Sequence, residues 1–374
     1  MLIKILRSSL FWYSFPFLFC LILLELNRDM PYFDFSKQGI SVFIYFIFLP
    51  YIFSYNIAAP LFRNVKLIKF NLASFFANKI NFLFKLWGII SFFEILFFGG
   101  LPILNIVTGG TKTYADFGLP TLHGFANFIW WILVLNSIGN YLKIGKISKR
   151  DIFIILWPFL VLSRGLVIIL ILQYFSSYIY HLKKIKFKFI TYLAIILVAM
   201  YFIFGYIGDL RSADFSLTDK YSGINSSSTF LWFYVYVTSP YVNLLNTINN
   251  ISPAYSIIPY ATVSGFVPSI FKSMLGFEVG FDAYIGAPIA AFLNAGTAFR
   301  SPYLDYGIIG IVSQSIFFGL LSAIIKKYNV KSKIVLPYYN GILALNIFNN
   351  NLFNPVFFLI LVFLLYKKNS LNHV

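Results

Sequence analysis

The feature that most constrains this chain is an alternation of long apolar runs with short loops in which lysine and arginine collect. A helix rises about 1.5 Å per residue, so roughly 17 to 25 apolar residues cross about 30 Å of hydrocarbon. Ten runs approach that length: 9–27, 39–61, 81–99, 124–142, 152–163, 166–180, 189–207, 304–325, 334–349 and 353–366. With 59% hydrophobic and only 11% charged residues, too little polar surface remains for a water-soluble globule. The expected fold is therefore an all-α polytopic membrane protein, one integral domain over residues 1–374. It has ten spans, or twelve if 228–245 and 279–295 also cross. The formal charge of +17 does not point to nucleic acid, because the positive residues lie in short clusters between apolar runs and not on one basic face. A single cysteine, Cys20, supports neither a disulfide framework nor a thiolate metal site.

Lysine and arginine in short loops resist translocation, so their distribution sets orientation. With the N-terminus inside, the cytoplasmic clusters are Lys4 and Arg7; Arg63 to Lys79; Lys143 to Arg150; Lys183 to Lys188; Lys326 to Lys333; and Lys367 and Lys368. Of the loop acids, only Asp151 falls on that side. Asp29, Asp34, Asp116, Asp209, Asp214, Asp219, Glu278 and Asp282 fall on the other. Both termini are then cytoplasmic, and the longest loop, 208–304, faces outward. In a bacterium this is the periplasmic side of the inner membrane, where neither ATP nor nucleotide sugars are at hand.

Residues 152–180 test that topology, since they also read as one long helix with Arg164 at its middle. One helix would invert every later loop against the charge rule, so two short helices turning at Ser163-Arg164-Gly165 are expected. The first is only about 18 Å long, which sets the turn below the outer surface and Arg164 in a recessed, outward-open cavity. A buried arginine there calls for an anion or water as partner; a snorkelling arginine at a helix end is the plainer reading. Within the long loop, 228–245 is apolar enough for an interfacial helix or a span, and the apolar centre reads as a lid with lipid-facing support.

The Ser-Arg-Gly turn, Gly208-Asp209-Leu210-Arg211 opening the loop, SPYVNLL at 239–245 and FLNAGTAFRSPYLDYGIIG at 292–310 together resemble the O-antigen polymerases (Wzy), the oligosaccharide repeat-unit polymerases. The resemblance covers most of the chain in architecture, through short motifs. It implies a fold similar to the membrane glycosyltransferases that use polyprenyl-linked sugars (GT-C-like). The implied activity is a metal-independent, inverting transfer, with no cofactor. The implied partners are an undecaprenyl-pyrophosphate-linked oligosaccharide and the bilayer, with a chain-length regulator as a further partner the family allows.

Under that resemblance, the outward arginines Arg164, Arg211 and Arg300 are the candidates to meet pyrophosphate, because a guanidinium stays charged and donates in pairs. Asp305, five residues after Arg300, is the first candidate for the base, with Glu278, Asp282, Asp214 and Asp209 as rivals. The plainer role for Asp305 is to stabilise a helix start. Tyr303, Asn294, Glu278 and Asp282 are candidates for substrate binding, and no metal ligands are expected. His123 reads first as a structural residue near a helix start. Asn346, Asn349, Asn350, Asn351 and Asn354 form an outward hairpin whose amides suit sugar hydroxyls, or simply make a turn. The alternatives are a lipid-linked oligosaccharide flippase or other transporter, a structural subunit, and an O-antigen ligase. A transporter should show paired repeats, and none is seen. The ligases resemble the polymerases but use an outer-loop histidine, and 208–304 contains none.

Overall fold

A computed structural model describes residues 2–62, 72–108, 117–119, 121–182, 227–267, 287–289, 293, 295–332 and 335–365, with isolated positions between 191 and 205. Among these residues the chain is helical, with no strand. Five helices are long and apolar enough to cross a membrane: Ser9–Leu26, Phe33–Leu61, Lys79–Asn105, Leu122–Leu142 and Arg300–Lys327. Large apolar side chains such as Phe53, Phe92, Phe97 and Ile309 stand exposed on the outside of the bundle, as a lipid-facing surface requires. The class the fold defines is an all-helical protein compatible with a polytopic membrane protein.

Local chemistry sets the helix limits. Helix α1, Ser9–Leu26, starts where the Ser8 hydroxyl accepts the Phe11 N–H, 3.3 Å, and ends at Asn27, whose amide donates to the Leu23 carbonyl, 2.7 Å. Helix α2, Phe33–Leu61, is composite, widening into a π-helical turn over Phe43–Phe48. The Tyr13 hydroxyl on α1 lies 3.2 Å from the Ile47 carbonyl of that turn and 3.2 Å from the Ser315 hydroxyl. Ser315 in turn donates to the Phe46 carbonyl, 3.1 Å. Polar groups inside an apolar bundle are thus paired across helices.

Helices α3, Leu72–Phe98, and α4, Leu122–Ile144, follow. Helix α5, Lys149–Leu160, begins at a reciprocal cap in which the Ser148 hydroxyl accepts the Asp151 N–H and the Asp151 carboxylate accepts the Ser148 N–H. It ends before Arg164, as expected, by a C-terminal wrap. The Ser163 N–H donates to the Pro158 carbonyl, 2.9 Å, and the Leu162 N–H to the Phe159 carbonyl, 3.2 Å, with Leu162 left-handed at φ +56°. Helix α6, Arg164–His181, restarts on a Ser163 cap.

Helix α7, Ser228–Asn250, lies inside the protein. Thr238 through Leu245 are all buried, and its anchors cluster around the α1–α2 turn. The Tyr234 hydroxyl donates to the Pro31 carbonyl, the Tyr241 hydroxyl to the Gly39 carbonyl, and the Asn249 and Gln38 amides pair. The two halves of α7 thus reach the α1–α2 turn and the start of α2 that follows it. The lipid-facing support expected of the apolar centre is not what α7 provides, since its central residues are covered by protein; the sequence shows apolar character but not which apolar surface covers it.

Helix α8, Arg300–Ser332, breaks after its first turn, where Tyr306 and Gly307 leave helical geometry. Its long part packs on α2, and Gly319 permits the approach: a β-carbon there would stand 2.0 Å from Ser54 Oγ and 2.5 Å from the Tyr51 carbonyl. Helix α9, Val335–Ala344, has every residue buried, bonded to α1 through Ser9–Asn340 and to α6 through Gln173 and Ser176. At ten residues, or roughly 15 Å, it is too short to cross alone. Its bonds to α1 and α6 tie it into the bundle along its length. Helix α10 is Pro355–Leu365, and most of 189–207 lies outside the described residues.

Basic side chains meet at one end of this bundle. Arg7 donates to the Ile179 and Leu182 carbonyls, Arg150 to the Asn81 amide oxygen, Lys326 to the Tyr55 hydroxyl and Lys327 to the Phe62 carbonyl. The α1–α2 turn, α7 and residues 251–267 and 295–306 occupy the opposite end.

Candidate functional site

The site is built at that opposite end, on an irregular segment leading into α8. Residues 287–289, 293 and 295 carry backbone groups with no helix to satisfy them, and α7 supplies side chains instead. The buried Asn243 amide donates to the carbonyls of Leu293 and Ala295, and its oxygen accepts the Ile289 N–H, 2.9 Å. Thr247 Oγ1 accepts the Ala287 N–H, and the Asn246 amide donates to the Ala287 carbonyl. The SPYVNLL stretch therefore scaffolds the segment before Arg300. The Ala298 N–H then donates to the Asn346 carbonyl, 2.7 Å, joining the segment to the turn after α9.

Arg300 opens α8, half-buried, with its guanidinium folded over Gly296. A β-carbon at 296 would stand 2.3 Å from Cζ and 2.4 Å from Nε, so only glycine leaves room for this pose. The Tyr303 hydroxyl is engaged by the Ile248 and Ile251 carbonyls, 3.0 and 3.1 Å, where it closes the C-terminus of α7. Asp305 is 2% exposed, and its carboxylate accepts three bonds. These come from the Ala261 N–H, 2.9 Å, the Thr262 N–H, 2.8 Å, and the Thr262 hydroxyl, 2.6 Å. It anchors the start of the short helix Tyr260–Val263, 43 and 44 residues away in sequence, and not the start of its own helix. Gly307 follows at φ +62°, with Pro253 and Tyr255 each 3.0 Å from where its β-carbon would be.

The structure thus brings Arg300, Tyr303 and Asp305 onto one turn, with Tyr303 and Asp305 holding the surrounding chain. Arg164 is the first residue of α6, directly after the α5–α6 turn; its guanidinium lies outside what is described. Arg211, Asn294, Glu278 and Asp282, and the rival acids Asp209 and Asp214, lie outside the described residues.

A pair that the motifs did not single out lies beside the α5–α6 turn. Glu94, on α3, is 1% exposed. Its Oε1 stands 3.0 Å from His123 Nδ1 and 3.4 Å from the Leu119 N–H, which donates to it. Gly118, at φ +102°, admits the imidazole against the backbone, since a β-carbon there would stand 2.5 Å from the ring. Phe117 packs edge-on against both His123 and Trp157, tying the pair to the last turns of α5. A carboxylate that fixes one ring nitrogen sets the tautomer and orientation of the imidazole, the arrangement a proton acceptor needs. The available signal was a lone acid inside an apolar run, which is costly unless partnered.

Comparison with known proteins finds no matching family model, curated protein or solved structure.

Proposed function

We propose that this protein is an oligosaccharide repeat-unit polymerase, an inverting, metal-independent glycosyltransferase of the O-antigen polymerase type in the bacterial inner membrane. The observation that carries the reading is Arg300, seated on Gly296 by a segment that Asn243 holds in place, at the end of the bundle away from the basic clusters. By the charge rule the basic end, with both termini, is cytoplasmic, and the Arg300 end is periplasmic. A cation fixed there, with the α5–α6 turn opening on Arg164, suits an anion delivered on a lipid. The described helices and the spans expected elsewhere in the chain fit a GT-C-like membrane transferase.

In the proposed reaction a sugar hydroxyl of one lipid-linked repeat attacks the anomeric carbon of another chain. The new glycosidic C–O bond forms as the bond to pyrophosphate breaks, and undecaprenyl pyrophosphate leaves with the electron pair. Guanidinium groups stabilise the charge that develops on it, each charge-assisted bond contributing roughly 1.5 to 3 kcal/mol. The hydroxyl proton passes to a base. Asp305 would have to release three donors to serve; His123, oriented by Glu94, is the other candidate.

The test is replacement of Arg164, Arg211 and Arg300 by alanine, one at a time, in cells that display the polymer. Each variant should accumulate in the membrane and leave only single repeats. Normal polymer from all three would remove the arginine site. Movement of the lipid-linked repeat across a vesicle bilayer, with no elongation, would favour a flippase.

A further inference from the structure

The hairpin between α9 and α10 holds several asparagines, and the structure separates them by the use of their amides. Asn349 Oδ1 accepts the Asn350 N–H, 2.8 Å, the Asn351 amide donates to the Asn349 carbonyl, 3.3 Å, and Asn354 Oδ1 accepts the Val356 N–H, 3.0 Å. Those three shape the turn. Asn346 and Asn350 do not. Asn346 is 0% exposed, and neither its amide nitrogen nor its amide oxygen has a hydrogen-bond partner among the described residues. Both amide atoms of Asn350 are likewise buried and unpaired there.

Four buried amide atoms without partners among the described residues weaken the fold, because each gave up its bonds to water. At Asn346 a leucine of nearly the same shape would remove that cost. An amide presents donors and an acceptor together. Its natural complement is a group that also does both, a hydroxyl, and not a purely anionic or apolar one. The position is also informative: the Asn346 carbonyl takes the Ala298 N–H, and Ala298 lies between Gly296 and the arginine folded over it. Asn346 therefore belongs to the same patch of chain as the fixed cation, and Asn350 follows it by four residues in the same hairpin.

We infer that Asn346 and Asn350 bind the hydroxyls of a sugar unit next to the anion position at Arg300, making this turn the part of the site that senses the glycan. The inference rests on the polymerase reading for the origin of the sugar, a lipid-linked pyrophosphate. A pocket that holds only water is the competing outcome.

The experiment uses the full chain in lipid nanodiscs and two probes: the lipid-linked oligosaccharide pool extracted from the source cells, and undecaprenyl pyrophosphate without sugar. Wild type should prefer the sugar-bearing probe. Asn346→Leu and Asn350→Leu should melt at or above the wild-type temperature when empty and bind the bare lipid unchanged. They should bind the sugar-bearing probe about tenfold or more weakly, so that the preference disappears. Asn346→Ala, which adds no methyl groups, should show the same loss if leucine does not fit. Variants that keep the wild-type preference would show a water pocket and overturn the inference while leaving the polymerase reading intact. Lower melting temperatures for both the leucine and the alanine variants would show that the amides are paired, with the same consequence. Wild type that binds neither probe, or both equally, would overturn the polymerase reading and this inference with it.

Discussion

Asp305 is the residue whose role changes most between sequence and structure. Its neighbours Arg300 and Tyr303 suggest a catalytic carboxylate, yet three donors from a distant loop converge on it. Asp305→Ala would leave two N–H groups and a hydroxyl short of an acceptor, at a cost of roughly 2 to 4 kcal/mol. The expected result is a lower melting temperature and reduced accumulation, with activity lost in proportion to folded protein. A variant that melts and accumulates as wild type but makes no polymer would instead make Asp305 catalytic. No local pattern announces this role, because the donors at Ala261 and Thr262 are brought in by tertiary structure. Leu162 makes the same point for backbone: the turn was expected at 163–165, around Gly165, but it lies at 161–163, with Arg164 and Gly165 already helical and a leucine as the left-handed residue where glycine would be the usual signal.

The helices divide by what their apolar surface touches. Runs flanked by polar loops, such as α1 and α4, were legible because length and hydropathy alone define a crossing. The short α9 and the buried α7 were not, since a buried helix and a membrane helix carry the same apolar signal and only packing distinguishes them. The α2–α8 contact shows how fine that packing is. Gly319→Ala would push a methyl group into Ser54 Oγ and the Tyr51 backbone, and overpacking of this kind costs about 1 to 3 kcal/mol. Thermal unfolding of the purified variant should show a clear drop in midpoint. An unchanged midpoint would mean that the two helices sit further apart than described.

Across the whole molecule, the alternation of charge seen in the sequence becomes a bundle with a basic end and an opposite end that carries Arg300, the Asn243 scaffold and the unpaired asparagines. Sidedness is checked by cysteine labelling in a Cys20→Ala background. Ser252→Cys, at the Arg300 end, should react with an impermeant maleimide in intact spheroplasts, whereas Lys146→Cys should react only after permeabilisation. The reverse pattern would place the site in the cytoplasm. The central claim, that this end of the bundle joins lipid-linked glycans without metal or nucleotide, is tested most directly with purified protein, extracted lipid-linked repeat units and excess chelator. The expected product is a ladder of longer glycans with release of undecaprenyl pyrophosphate. Repeat units that stay single under these conditions, and elongate only when a metal ion or nucleotide is supplied, would contradict the claim.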